Sequence, residues 1–127
     1  WMNILQRVPG SVLWLLHMPA VAAGGLRAEA ASAGVSRDRL IFGEPIAAEH
    51  HLRRCVLADL FLDSLHYNAH TTATDALWAG VPIITLPGDM MQSRVAAGLN
   101  EANNMPALVV SSLKEYEDYA VALAIIE

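Results

Sequence analysis

Leu60-Phe61-Leu62-Asp63-Ser64-Leu65-His66-Tyr67-Asn68-Ala69-His70-Thr71-Thr72-Ala73-Thr74-Asp75-Ala76-Leu77-Trp78-Ala79-Gly80 changes its period part-way along. Its first four residues form a short, mostly apolar run, which suits a strand. From Thr72 the apolar residues fall at helical spacing, and Gly80 offers a C-terminal stop. Between the two lies a turn crowded with polar side chains. A strand that enters a helix in this way is one βα unit of a parallel sheet.

The same alternation continues on both sides. A helix is expected over residues 1–7, stopped by Val8-Pro9-Gly10, because proline disfavours helix in the residue before it. Residues 11–16 read as a strand buried on both faces, 26–33 as an Ala-rich helix ended by Gly34, and 39–42 as a second strand. Residues 47–58 read as helix, 60–63 as strand three and 82–86 as strand four. After these come a helix over 93–102, strand five at 107–110, and a last helix with Ser112 as N-cap and Glu115 at the capping-box spacing. The expected fold is therefore α/β, a Rossmann-like doubly wound parallel sheet of about five strands, in one domain spanning 1–127.

Composition narrows the function classes. Hydrophobic residues make up 54% of the 127, which excludes a disordered chain. The charged fraction is 17%, below the usual quarter of residues, and implies an apolar face that something else covers or that drives self-association. With 13 acidic and 8 basic residues the net charge is −5, against nucleic-acid binding. No apolar run is long enough for a membrane helix, and no secretory leader is visible. The single cysteine, Cys55, fits a reducing, cytoplasmic setting and reads as a buried structural thiol in an apolar helix. The first residue is Trp1 and the last helical pattern ends without a cap, so a piece of a longer protein is expected.

Ligands of such sheets bind beyond the carboxyl ends of the strands. Three connections there carry unusual chemistry. In the turn before Ala76, the residues Asn68, His70, Thr71, Thr72, Thr74 and Asp75 fall within eight positions. The first turn of a helix has unpaired N–H groups and a partial positive charge, so this one suits an anion such as a phosphate. The plainer alternative is a well-capped helix with Thr72 as N-cap and Asp75 in its first turn. In the second connection, His51 and Arg54 stand one helical turn apart and share a face. An imidazole can stack on a nucleobase and a guanidinium can donate to a base carbonyl, although the same residues also suit a solvated helix face. The third runs Pro87-Gly88-Asp89-Met90-Met91-Gln92-Ser93-Arg94; there Ser93 or Asp89 could cap a helix, Arg94 could pair with an acid, and the methionines are expected to pack. No metal site is expected, because His66 and His70 lie in a loop without the glutamate of a zinc helix, and no nucleophile elbow is present.

Several motifs in order resemble the protein O-linked N-acetylglucosaminyltransferases, glycosyltransferase family 41. They are Arg7-Val8-Pro9-x-Ser11-Val12-Leu13-Trp14-Leu15-Leu16, Glu49-x-His51-x-Arg53-Arg54-x-x-Leu57-Ala58-Asp59, Asn68-x-His70-Thr71-Thr72-x-x-Asp75-x-Leu77-Trp78-Ala79-Gly80, and Ser93-Arg94-Val95-Ala96. The resemblance runs from Trp1 to about Tyr119. It implies the second Rossmann-like lobe of a GT-B enzyme, the lobe that binds the UDP end of a UDP-GlcNAc donor, in an inverting enzyme that modifies Ser or Thr of proteins without a metal or cofactor. It implies that His51 stacks on uracil and that His51, Leu52, Arg53 and Arg54 line the base pocket. His70, Thr71 and Thr72 would hold the diphosphate, and Asp75 would reach the ribose side. Ile46, Ala47 and Ala48 would contact base and ribose, with Ala48 standing where the animal pattern has a lysine. The phosphate-binding lysine, the acceptor-binding lobe and the tetratricopeptide repeats of the family lie upstream of the region matching Trp1, so no catalytic residue is expected here and the fragment alone should be inactive. Two other readings stand beside this one: a non-catalytic nucleotide-sensing or scaffold lobe, and a relative using UDP-glucose or GDP-fucose.

Overall fold

The structure, a computed structural model, describes residues 1–126. The chain divides into two compact units, Trp1–Ile46 and Ala47–Glu127. Both are mixed α/β, with short parallel strands.

In the first unit, helix α1 (Met2–Arg7) leads to strand β1 (Leu13–Leu16), helix α2 (Ala20–Ser32), a 3-10 turn (Arg37–Arg39) and strand β2 (Leu40–Gly43). The two strands pair in parallel, from Leu13 opposite Leu40 to Leu16 opposite Gly43, and His17 N–H extends the ladder to the Gly43 carbonyl at 2.7 Å. Helix α2 begins six residues earlier than the sequence spacing predicts. Pro19 supplies its N-cap, and the Ala-rich run carries the helix through Gly24-Gly25, although glycine is a poor helix former. Arg39 ties the end of α1 to the start of β1. Its guanidinium donates to the carbonyls of Leu5 (2.6 Å), Val8 (2.9 Å) and Ser11 (2.8 Å), placing a cation where helix carbonyls are left over.

The second unit holds helix α3 (Ala48–Cys55), strand β3 (Phe61–Leu62), helix α4 (Thr71–Trp78) and strand β4 (Ile83–Ile84). A 3-10 turn (Met91–Ser93) then precedes helix α5 (Val95–Ala102), a second 3-10 turn (Pro106–Leu108) and helix α6 (Leu113–Ile125). Strands β3 and β4 are parallel, with Phe61 opposite Ile83 and Leu62 opposite Ile84. Beyond β4, Thr85 forms a parallel bridge with Val109. Strand five is thus reduced to that bridge, because Pro106 opens a 3-10 turn where an extended run was expected.

The core of this unit is built largely from alanine. Ala73, Ala76, Val81, Ile83 and Ala96 are buried together, with Phe61, Ala69 and Leu99 packed against them. Small side chains let α4 and α5 lie close to the strands, while Gly80, at φ +82°, turns the chain out of α4. Ser112 caps α6 as the sequence predicts: its Oγ accepts from Glu115 N–H at 3.0 Å. The Glu115 carboxylate reaches back to Ser111 N–H, one residue beyond the N-cap N–H of the usual capping box.

Candidate functional site

The candidate residues of the second unit lie along α3, at the start of α4 and on the loop between β3 and α4. That loop is held from beneath by a buried carboxylate. Asp63, 1% exposed at the end of β3, accepts from Ala69 N–H (2.9 Å) and from the Thr85 hydroxyl (2.7 Å). Its own carbonyl accepts from the Tyr116 hydroxyl at 2.9 Å. Burial pushes the Asp63 carboxyl above its ordinary pKa, opposed by the hydrogen bonds from Ala69, Thr85 and Ser64 and by the charge of His70.

Asn68, also buried, fixes the other side of the loop. Its Nδ2 donates to the Ser64 carbonyl (2.7 Å), its backbone N–H donates to Gln92 O (2.8 Å), and its Oδ1 accepts from Ala96 N–H (3.3 Å). That last bond supplies the first turn of α5 with an acceptor from a distant loop. Two buried polar side chains therefore set where His70 and the start of α4 lie.

His70 is the N-cap of α4, so Thr72 lies in the first turn and is not the cap that the spacing suggests. No side chain caps this helix. Among the described residues, the N–H groups of Thr71, Thr72 and Ala73 meet no acceptor. The threonine hydroxyls do not substitute: only Thr74 bonds, to the His70 carbonyl at 3.3 Å. Thr71 is exposed, and Thr72 and Asp75 are half-buried. The imidazole of His70 stacks on Tyr67, with ring centroids 4.9 Å apart and planes at 16°, and its Nε2 is buried without a partner.

On α3, His51 and Arg54 do share a face. Arg54 Nε donates to His51 Nδ1 at 3.0 Å, so that nitrogen is the acceptor and the ring's proton sits on Nε2. Cys55 Sγ lies 3.6 Å from Nε2. Leu52 is half-buried; Arg53 points elsewhere, in an exposed pair with Glu49 at 2.9 Å. Ala47 is the N-cap and has no side chain able to cap, so α3 also starts open. Ala47 and Ala48 are exposed, as is Ile46, the last residue of the first unit.

Cys55 is not the buried thiol of an apolar helix that the sequence suggests. It ends a polar helix and is half-buried; burial, then Asp75, push its thiol pKa up, and Arg54 opposes them.

The third connection holds itself together. Arg94 donates to the Gly88 carbonyl (2.7 Å), not to an acid, and Ser93 Oγ donates to Met90 O (2.7 Å) instead of capping a helix. Met90 and Met91 are exposed where packing was expected, because the loop closes through its backbone. Among the described residues no group of three His, Cys, Asp or Glu could hold a metal ion, and no helix is long and apolar enough to cross a membrane.

Residues 1–125 match the model of glycosyl transferase family 41. The chain belongs to that family. It is 50% identical, over 98% of its length, to the Arabidopsis thaliana protein named "Probable UDP-N-acetylglucosamine--peptide N-acetylglucosaminyltransferase SEC". It is 40% identical, over 97% of its length, to the UDP-N-acetylglucosamine--peptide N-acetylglucosaminyltransferase of Caenorhabditis elegans. The chain spans 13% and 11% of the lengths of these two family members. Among solved structures, a mutant O-GlcNAc transferase of Thermobaculum terrenum superposes on 99% of the chain with a TM-score of 0.93 at 31% identity; 25% of that protein is covered.

Sequence reasoning within the family pattern missed the residues that hold the site: Asp63, Thr85 and Tyr116. The one local signal was Asp63 itself, an acid closing an otherwise apolar strand.

Proposed function

We propose that this chain is the nucleotide-sugar-binding part of an inverting protein O-glycosyltransferase, one that moves N-acetylglucosamine from UDP-GlcNAc to Ser or Thr of proteins. One observation carries the reading: in the second unit, α5 and α6 have a first-turn N–H bonded to a side chain, whereas α3 and α4 do not. The open start of α4 bears His70, Thr71 and Thr72, and that of α3 bears Ala47 and Ala48, with His51 and Arg54 further along the same helix; an open start is what a diphosphate needs. Family membership and the names of the relatives support the same chemistry.

In this reading His51, set by Arg54, stacks on uracil, and Ile46, Ala47, Ala48 and Leu52 line the base and ribose. Arg53 stands at the rim and Asp75 reaches the ribose side. His70, Thr71 and Thr72 surround the diphosphate and stabilise the charge that grows on UDP as it leaves, a role that elsewhere falls to a metal. A helix start contributes only about 0.3–2 kcal/mol to an anion, against about 8 kcal/mol for micromolar binding, so base stacking and further cations are needed as well. Acceptor binding, through a second lobe and tetratricopeptide repeats, and proton removal are assigned to parts of the protein outside this chain. The single Rossmann-like lobe with five parallel strands belongs to the same reading, supported within each unit by one parallel pair, β1 with β2 and β3 with β4, and in the second by the bridge at Val109.

The test is calorimetric titration of UDP into the full-length protein, with His51→Ala and Thr72→Ala beside it. Each change is expected to weaken UDP at least tenfold, about 1.4 kcal/mol. UDP that does not bind, or binds regardless of both changes, would point to a scaffold lobe. Stronger competition by UDP-glucose or GDP-fucose than by UDP-GlcNAc would reassign the sugar.

A further inference from the structure

The backbone of the β3–α4 loop is well tied, but the imidazole it presents is not. His70 makes no side-chain hydrogen bond among the described residues, and its Nε2 is buried without a partner. Its remaining nitrogen, Nδ1, is the one able to meet a ligand. The χ2 torsion of a histidine is broad, so something other than rotamer preference has to set the ring plane. What lies along that plane is Tyr67, nearly parallel at 16° and 4.9 Å between centroids.

Tyr67 itself is 65% exposed, so burial gives little reason for its ring to lie there. The two residues that follow it explain why it does. Asn68 is anchored by three hydrogen bonds and Ala69 by Asp63, which leaves the Tyr67 side chain directly over His70.

We propose that Tyr67 is a positioning residue for the donor diphosphate: it fixes the plane of the His70 ring and so aims Nδ1 at a phosphate oxygen. This rests on the donor-site reading above and adds to it a residue that need not touch the ligand. The phenol hydroxyl plays no part, since the interaction is between ring faces. Phenylalanine should therefore replace Tyr67, and leucine, of similar bulk but without a ring face, should not.

The effect belongs to the diphosphate end alone, and this separates positioning from general support of the loop. In the full-length protein, Tyr67→Leu is expected to weaken UDP by about three- to tenfold, the range of an aromatic pair. Tyr67→Phe should stay within about twofold of wild type on the same scale. Uridine, measured by its displacement of UDP, should bind Tyr67→Leu as it binds wild type, because it lacks the group His70 engages. Unchanged UDP binding in Tyr67→Leu, equal losses in the leucine and phenylalanine variants, or an equal loss of uridine and UDP would each overturn the proposal. If Thr72→Ala weakens UDP while Tyr67→Leu does not, the donor site stands and the inference alone falls. If wild type fails to bind UDP, both fall.

Discussion

Replacing Asp63 tests whether the loop before α4 is held as the structure indicates. In Asp63→Ala the half-buried Ala69 N–H and the buried Thr85 hydroxyl both lose their acceptor. Hydrogen bonds to a charged group contribute about 1.5–3 kcal/mol each, and removal of a buried carboxylate recovers part of that. A local cost of about 2–4 kcal/mol follows, which would speed hydrogen exchange in the loop by roughly thirty- to a thousandfold. Asp63→Asn should cost far less. Its Oδ1 still accepts from Ala69, and its Nδ2 donates to Thr85, whose hydroxyl can turn to accept. The assay is hydrogen exchange by mass spectrometry on the full-length protein, read in the peptide covering residues 64–70. Equal exchange in wild type and Asp63→Ala would refute the clamp.

The same residue sets a direction with pH. Because burial raises the Asp63 pKa above its ordinary value of 3.8, the folded state holds this proton at pH values where the unfolded chain has released it. The stability gained from that proton is complete below the ordinary value and is lost as pH rises through the raised one. Asp63→Asn does not titrate. Its stability relative to wild type should therefore improve as pH climbs through the acid range, and a difference that does not change with pH would contradict the assignment.

Two further outcomes are expected. A Cβ on Gly88 would lie 2.6 Å from Ser93 Oγ and 3.1 Å from its Cβ, and Ser93 is buried and bonded to Met90 O. Gly88→Ala should cost about 1–3 kcal/mol in thermal unfolding of the full-length protein, and Ser93→Ala in the same chain should recover part of it; a melting point equal to wild type would disprove the close approach. Made alone, the chain should self-associate, because Val56, Leu57 and Trp78 are exposed, Trp78 at 83%. A sedimentation coefficient independent of concentration would contradict this.

Local pattern carried the α/β class and the pairing of His51 with Arg54, because both rest on spacings within one turn or one strand. It failed where a distant partner or a single dihedral decides. Helix α2 starts at Ala20, ahead of the expected residue 26, and Pro106 turns an apolar run into a 3-10 turn. The clamp on Asp63 joins residues 22 and 53 positions apart, and Arg39 reaches back 28 to 34 positions. No period in the chain encodes such bonds. Met90 and Met91 misled for a related reason: hydrophobicity predicts packing only when the backbone turns the side chain inward, and here the loop closes on itself through Gly88, Ser93 and Arg94.

How polar groups are shared out within the second unit gives the functional reading its physical logic. An N-cap side chain contributes about 1 kcal/mol, and this sequence has threonines at hand to supply one for α4. It uses none of them; instead Asn68, from the loop just before α4, accepts through its Oδ1 from Ala96 N–H of α5. The loop is meanwhile fastened through Asp63 and the body of Asn68, so the open donors of α4 do not depend on their own hydrogen bonds to stay in place. Stability drawn from buried polar bonds below the site thus leaves the donors above it unsatisfied and fixed, the condition under which a bound anion is stabilised without reorganising the protein. A capped α4 would be the more stable helix and, on the proposed reading, the poorer phosphate site.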